Sequence, residues 1–149
     1  MTLLEQLAIK HAIFLAPMAG VSTPELAAEV SNQGAFGSLG LGSNTPETAR
    51  QQILKTQSLT DQPFQVNFFC HQSKALNDQV AQQWIEYLTP QFQKYGTLPP
   101  KQLHNIYPSF LDNDDFFFFL LETKPKAVSF HFGIPHALQI QSLKNTSIL

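Results

Sequence analysis

A histidine and an asparagine within two otherwise apolar stretches are the best candidates for chemistry in this sequence. His131 lies in "AVSFHFG" at 127–133, and Asn67 lies in "FQVNFFC" at 64–70. An imidazole titrates near neutrality, so His131 can transfer a proton or, when protonated, hold an anion. The carboxamide of Asn67 both donates and accepts hydrogen bonds. Either role of His131 requires a position at the mouth of a site.

Both stretches are predicted to be β-strands, since they are short, apolar and bounded by turn residues. Side chains alternate between the two faces of a strand, so each strand has an apolar face and a face with polar residues near its C-terminal end. The polar faces carry Gln65, Asn67 and Phe69 and Ser129, His131 and Gly133, and the apolar faces carry Phe64, Val66, Phe68 and Cys70 and Val128, Phe130 and Phe132. We therefore expect Asn67 and His131 to face the same side.

Strand and helix patterns alternate along the chain in four units. Strands are predicted at 13–16, 35–41, 64–70 and 127–133. Thr23 and Thr45 each precede a proline and are the expected N-caps of two helices. Further helices are predicted at 77–95, at 116–124, where the phenylalanines would also suit a strand, and from Pro135 onwards. The glycines at 37–42 make a poor phosphate loop, and close packing explains them better.

Strands that alternate with helices form parallel sheets, either open and doubly wound or closed into a (β/α) barrel. The two-faced strands favour a barrel, because its outward side chains meet helices and its inward ones line the mouth at the C-terminal rim. A complete barrel has eight units. We therefore predict an α/β fold of the TIM-barrel type, truncated to about its first half.

Composition narrows the possible partners. The chain has 149 residues, with 9 Lys and Arg against 11 Asp and Glu and a net charge of −2. This charge offers no electrostatic footprint for a polyanion and argues against nucleic acid as a partner. Cys70 is the single cysteine, so neither an internal disulfide nor a cysteine-rich metal site is predicted. No apolar run approaches the length of about 18 residues that suggests a membrane span. We expect a cytoplasmic protein that does not associate with membranes.

Four segments, taken in order, resemble the nitronate monooxygenase family, formerly called 2-nitropropane dioxygenases. They are "FLAPMAGVSTPELAAEVSNQGAFGSLG", "TDQPFQVNFF", "IYPSF" and "AVSFHFGIP". The resemblance implies an FMN-dependent (β/α) barrel enzyme that oxidises alkyl nitronates with O2 to carbonyl compounds and nitrite. It also implies that Ala16, Pro17 and Met18 lie against the flavin ring, that Asn67 hydrogen-bonds FMN, and that His131 is the catalytic histidine.

Other interpretations of these residues stay open at this point. Taken without the family, His131 fits a core histidine, Asn67 a buried amide bonded to backbone, and Met18 a core side chain. NADH:quinone reductases and flavin enoyl reductases share the barrel. The tRNA dihydrouridine synthases open with a similar motif, but the slightly acidic chain and the absence of their cysteine motif count against them.

In this type of barrel the phosphate of FMN is expected at the loops after the seventh and eighth strands. Residues 1–149 are therefore predicted to be the N-terminal half of an FMN-dependent barrel domain that binds FMN weakly or not at all. Half of a parallel barrel exposes strand edges and inner apolar surface, so we also expect self-association or a non-catalytic half barrel.

Overall fold

The computed structural model describes residues 2–149, which divide into two compact units. One unit comprises residues up to 72 together with 107–149, and the other comprises 73–106. The first unit contains a parallel sheet with strands in the order β1 (Gly37–Gly40), β2 (Phe64–Phe69) and β3 (Ala127–His131). The α/β fold with parallel strands predicted from the sequence is confirmed.

The first predicted strand, at 13–16, is reduced to a single parallel bridge between Phe14 and Phe36. The amide of Leu15 donates to the carbonyl of Phe36 at 2.9 Å, and the ladder goes no further. Pro17 has no amide hydrogen to donate, and the amide of Met18 bonds to the side chain of Ser22 instead. Residues 2–149 therefore contain three strands and a bridge, where four strands were predicted.

Two helices of the first unit begin directly after their predicted N-caps, Thr23 and Thr45. The side chain of Thr23 accepts from the amide of Leu26, and that of Thr45 accepts from the amide of Thr48. The phenylalanine-rich segment is a helix, with Asn113 as its N-cap. The helices are α1 (Leu3–Leu7), α2 (Pro24–Asn32), α3 (Pro46–Leu59), α5 (Asp114–Thr123) and α6 (Ala137–Asn145), with α4 (Asp78–Lys94) in the second unit.

The third strand and the last helix differ from their predicted limits. The strand ends at His131, because Phe132 adopts a left-handed backbone conformation with φ of +69°. Phe132 is consequently 74% exposed and does not share the packed face of Val128 and Phe130. The last helix begins at Ala137 with His136 as its N-cap, and Pro135 lies in the preceding loop.

The two faces of the sheet pack against different clusters of apolar residues. Side chains of one face, among them Leu39, Val66 and Phe68, pack in the main core with residues of α2, α3 and α5. On the opposite face, Phe36 and Ala127 pack at the beginning of the strands with Leu7 and Ile9. The inner face is thus apolar where the strands begin and polar where they end.

The second unit consists chiefly of α4, whose N-cap Asn77 accepts from the amide of Val80. Its predicted apolar positions Val80, Trp84 and Tyr87 are exposed, and the rings of Trp84 and Tyr87 meet edge to face at 5.7 Å. None of the helices within 2–149 is long and apolar enough to cross a membrane.

Candidate functional site

The C-terminal ends of the strands bring the predicted site residues to one edge of the sheet. In the register of the three strands, Gly40 is opposite Asn67, and Asn67 is opposite Ser129. His131 follows two residues after Ser129, so its side chain leaves the same face. The predicted placement of Asn67 and His131 on one side of the sheet is therefore what the structure shows.

The carboxamide of Asn67 joins β2 to β3 through three hydrogen-bonded contacts. Its nitrogen donates to the carbonyl oxygen of Ser129 at 3.1 Å and to the hydroxyl of Ser129 at 2.9 Å. Its oxygen lies 3.2 Å from Nδ1 of His131. Asn67 is only 2% exposed, whereas the imidazole of His131 is exposed. A buried amide thus holds an accessible histidine, and the interpretation of His131 as a core residue does not apply.

The turn at 16–18 lies at the same end of the sheet, beside Gly40. A Cβ atom at Gly40 would come within 2.9 Å of the carbonyl carbon of Met18, so only glycine permits this approach. Ala16 is exposed, Pro17 is partly buried, and Met18 is 45% exposed. Met18 is therefore not a core side chain, and the turn presents an apolar, accessible surface.

Ser22 holds this turn in place, a role that was not predicted from the sequence. Its hydroxyl accepts from the amide of Met18 at 2.9 Å, accepts from the amide of Gly40 at 3.2 Å and donates to the carbonyl of Met18 at 2.8 Å. Ser22 is 5% exposed. The signal available in the sequence is a small hydroxyl residue directly before the N-cap Thr23, and it gives no indication of the contact with Gly40.

Aromatic rings border His131 on the side of β2. The ring of Phe69 lies 4.9 Å from that of Phe132 and 5.5 Å from that of Tyr107. The imidazole of His131 lies 6.1 Å from the ring of Phe132. The sequence predicted only that Phe69 lies on the same strand face as Asn67. The grouping of these aromatic rings depends on the left-handed backbone at Phe132, which was not predicted.

Cys70 takes no part in the accessible site. Its side chain is 1% exposed, and burial raises the pKa of its thiol, which disfavours the nucleophilic thiolate. Its amide donates to the carbonyl of His131 at 2.8 Å. The role of Cys70 here is to fix the end of β3 through its backbone.

The glycines at 37–42 serve close packing, as predicted. A Cβ at Gly37 would meet the carbonyl oxygen of Ala27 in α2, and one at Gly42 would lie 2.9 Å from the ring of Phe69. The missing side chains let α2 and the ring of Phe69 approach the backbone of this segment closely. Packing therefore explains these two glycines.

Comparisons with known proteins show which family the chain belongs to. The model of the family described as nitronate monooxygenase matches residues 1–149. A nitronate monooxygenase of Paraburkholderia phytofirmans is 49% identical over 146 residues, which are 98% of this chain and 40% of that protein. One of Pseudomonas aeruginosa is 44% identical over 142 residues, 95% of this chain and 40% of that protein.

A solved structure of nitroalkane oxidase from Streptomyces ansochromogenes superimposes with a TM-score of 0.83 at 31% identity, covering 99% of this chain and 41% of that one. The chain therefore spans about 40% of the length of the curated relatives it matches. It belongs to the nitronate monooxygenase family.

Proposed function

We propose that residues 1–149 form the N-terminal half of an FMN-dependent (β/α) barrel enzyme that oxidises alkyl nitronates with O2 to carbonyl compounds and nitrite. The observation that carries this proposal is the hydrogen-bonded pair of Asn67 and His131 at the C-terminal end of a parallel sheet. This is the end at which barrel enzymes bind their substrates. Membership of the family supports the same reaction.

The residues at this end fit the ring system of a flavin. Ala16, Pro17 and Met18 form an apolar surface against which a flat ring would lie, and the oxygen of Asn67 retains one lone pair for a donor at the ring edge. When bound, FMN would supply the electron-accepting chemistry of the reaction. The protein supplies the surface, the hydrogen bond and the proton-transfer group.

The inner face of the described strands does not fit the phosphate of FMN. On the inner face of the described strands, the side chains are small, amide, aromatic or imidazole, without a lysine or arginine among them. A phosphate is bound in proteins by cationic side chains or by backbone amides at a helix N-terminus. The inner face of the described strands therefore suits the ring of the cofactor and offers no cationic side chain to its phosphate.

His131 would act on the substrate. Its exposed imidazole can take the proton of a neutral nitroalkane from the carbon next to the nitro group, or donate to the oxygens of a nitronate anion. In both cases the contact with Asn67 engages Nδ1 and leaves Nε2 for the substrate.

A chimera tests this function. The matched N-terminal segment of the Paraburkholderia phytofirmans relative would be replaced by residues 1–149, and turnover of a neutral nitroalkane and FMN content would be measured. We expect His131→Ala to lower turnover by about 100-fold while FMN content stays near that of the parent, since general base catalysis contributes about that much or more. Exposed His104 provides the matched control, His104→Ala. Unchanged turnover in His131→Ala would remove His131 from the reaction.

We also propose that the 149-residue chain self-associates. An apolar groove of about 310 Å³ lies beside β3 and is lined by Val128, Phe130, Ile140 and Leu143, among others. Ile134 at its rim is 76% exposed. Exposed apolar surface next to a strand edge favours pairing with another chain.

A further inference from the structure

The amide of Asn67 can be oriented in only one way by its neighbours. Its nitrogen lies 3.1 Å from the backbone carbonyl oxygen of Ser129, which can accept a hydrogen bond and cannot donate one. The nitrogen of the carboxamide must therefore face Ser129, and its oxygen must face His131. With the two contacts to Ser129, both hydrogens of this nitrogen are used.

This orientation decides which nitrogen of His131 carries the hydrogen. The oxygen of Asn67 is only an acceptor and lies 3.2 Å from Nδ1 of His131, so Nδ1 must be the donor. In the neutral ring the lone pair is then on Nε2. A histidine side chain free in water prefers the opposite tautomer, with the hydrogen on Nε2, so the protein has to impose this one.

The backbone keeps the two residues in the necessary register. Asn67 is opposite Ser129 in the parallel ladder, and Phe69 is opposite His131. The carboxamide therefore reaches its directly opposite neighbour and the next residue on the same face. The carbonyl of His131 accepts from the amide of Cys70 at 2.8 Å, which holds the end of β3 in place.

We propose that Asn67 is a positioning residue that holds His131 in the Nδ1–H tautomer, with Ser129 setting the orientation of the amide. Nε2 is then the proton acceptor presented at the ends of the strands. The consequence for catalysis rests on the proposed function, in which His131 moves the substrate's proton. The tautomer itself follows from the hydrogen bonds alone.

Nitrogen-15 NMR of the histidine rings in the 149-residue chain tests the proposal without any turnover. At a pH where the rings are neutral, the long-range proton–nitrogen spectrum distinguishes a protonated ring nitrogen from a bare one. We expect Nδ1 of His131 to be protonated and Nε2 to be bare, with the signals assigned by their loss in His131→Gln. A ring with the hydrogen mainly on Nε2 in the wild-type chain would overturn the proposal. The tautomer is measured in the wild-type chain, and His131→Gln serves only to assign the signals.

Two substitutions at Asn67 separate positioning from simple packing. Asn67→Leu has nearly the same shape and no acceptor, so we expect His131 to revert to the Nε2–H tautomer. Asn67→Asp keeps an acceptor towards Nδ1, so we expect the Nδ1–H tautomer to be retained. Urea denaturation shows whether each variant is folded, because a folded chain unfolds cooperatively. An Asn67→Leu chain that is folded and keeps the Nδ1–H tautomer would show that Asn67 does not determine it.

The chimeric enzyme then separates this inference from the proposed function. We expect Asn67→Leu to lower kcat for a neutral nitroalkane by about 10-fold or more, because loss of the group that fixes a histidine tautomer impairs proton transfer. If His131→Ala has no effect on turnover while the tautomer is as expected, the proposed function fails and the positioning by Asn67 stands. If the tautomer is the opposite one, the positioning fails whatever the activity.

Discussion

Gly40 packs against the backbone of Met18 with no room for a methyl group between them. A Cβ at Gly40 would lie 2.9 Å from the carbonyl carbon of Met18 and 3.0 Å from its amide nitrogen. Backbone atoms cannot rotate away as a flexible side chain can. The apolar turn at 16–18 therefore owes its position at the end of β1 to the missing side chain at residue 40.

Gly40→Ala should displace this turn. We expect the methyl resonance of Met18 to shift and the free energy of unfolding to fall by about 1–3 kcal/mol, as is usual for overpacking. Gly96→Ala is a suitable control, because Gly96 has φ of +70° and open space around it. That substitution costs about 1 kcal/mol for its backbone conformation and should leave Met18 unchanged. An unshifted Met18 signal in Gly40→Ala would contradict the role of this contact.

FMN and riboflavin should bind the 149-residue chain with similarly weak affinities. The turn at 16–18 and Asn67 fit the ring that both molecules share. The inner face of the described strands has no lysine or arginine to bind the phosphate that only FMN carries. Titration of each flavin with protein, followed by flavin fluorescence, measures both affinities. Purification of a yellow protein with stoichiometric FMN would contradict the weak affinity. A large preference for FMN over riboflavin would show that residues 1–149 bind the phosphate.

Two neighbouring phenylalanines of α5 should differ greatly in their contribution to stability. Phe116 is 1% exposed, and its ring lies 5.2 Å from that of Phe68, whereas Phe118 is 61% exposed. We expect Phe116→Ala to lower the free energy of unfolding by about 3–5 kcal/mol and Phe118→Ala to change it by about 0.5 kcal/mol. Urea denaturation measures the free energy of unfolding of both variants. Equal losses would contradict the burial of Phe116 and the exposure of Phe118.

Charge at the rim of the groove beside β3 should reduce self-association. Ile134 is 76% exposed, so Ile134→Glu leaves the core intact and places a carboxylate beside the apolar surface. We expect the wild-type chain to sediment as oligomers and the variant to shift towards monomer. Leu98→Glu alters a residue of the second unit that is 80% exposed and serves as the control. A wild-type chain that is monodisperse and monomeric would refute the proposed self-association.

The thiol of Cys70 should react slowly in the folded chain. Burial raises its pKa, so the reactive thiolate forms only at a pH higher than in the unfolded chain. Between the unfolded and the folded pKa, the folded state binds more protons, so this group makes stability fall as pH rises through that range. Labelling with a thiol reagent from neutral to alkaline pH, with and without denaturant, measures the difference. Equal rates in the two states would show that Cys70 is accessible.

Local sequence patterns determined much of this structure. The N-caps at Thr23 and Thr45 were predictable because each cap bonds to an amide three residues away. The common face of Asn67 and His131 was predictable because alternation depends only on the pleat of the strand. Close packing of the glycines at 37–42 was predictable from their position in a strand pattern.

Only the tertiary structure decided how these parts meet. Asn67 and His131 are 64 residues apart, and their hydrogen bond depends on the register between β2 and β3. Ser22 holds the turn at 16–18 through the amide of Gly40, 18 residues away. The end of β3 depends on a left-handed backbone at Phe132, which no local pattern of the sequence indicates. Periodicity fixes the face of each strand from neighbouring residues alone, whereas contacts between distant segments form only once the chain has packed.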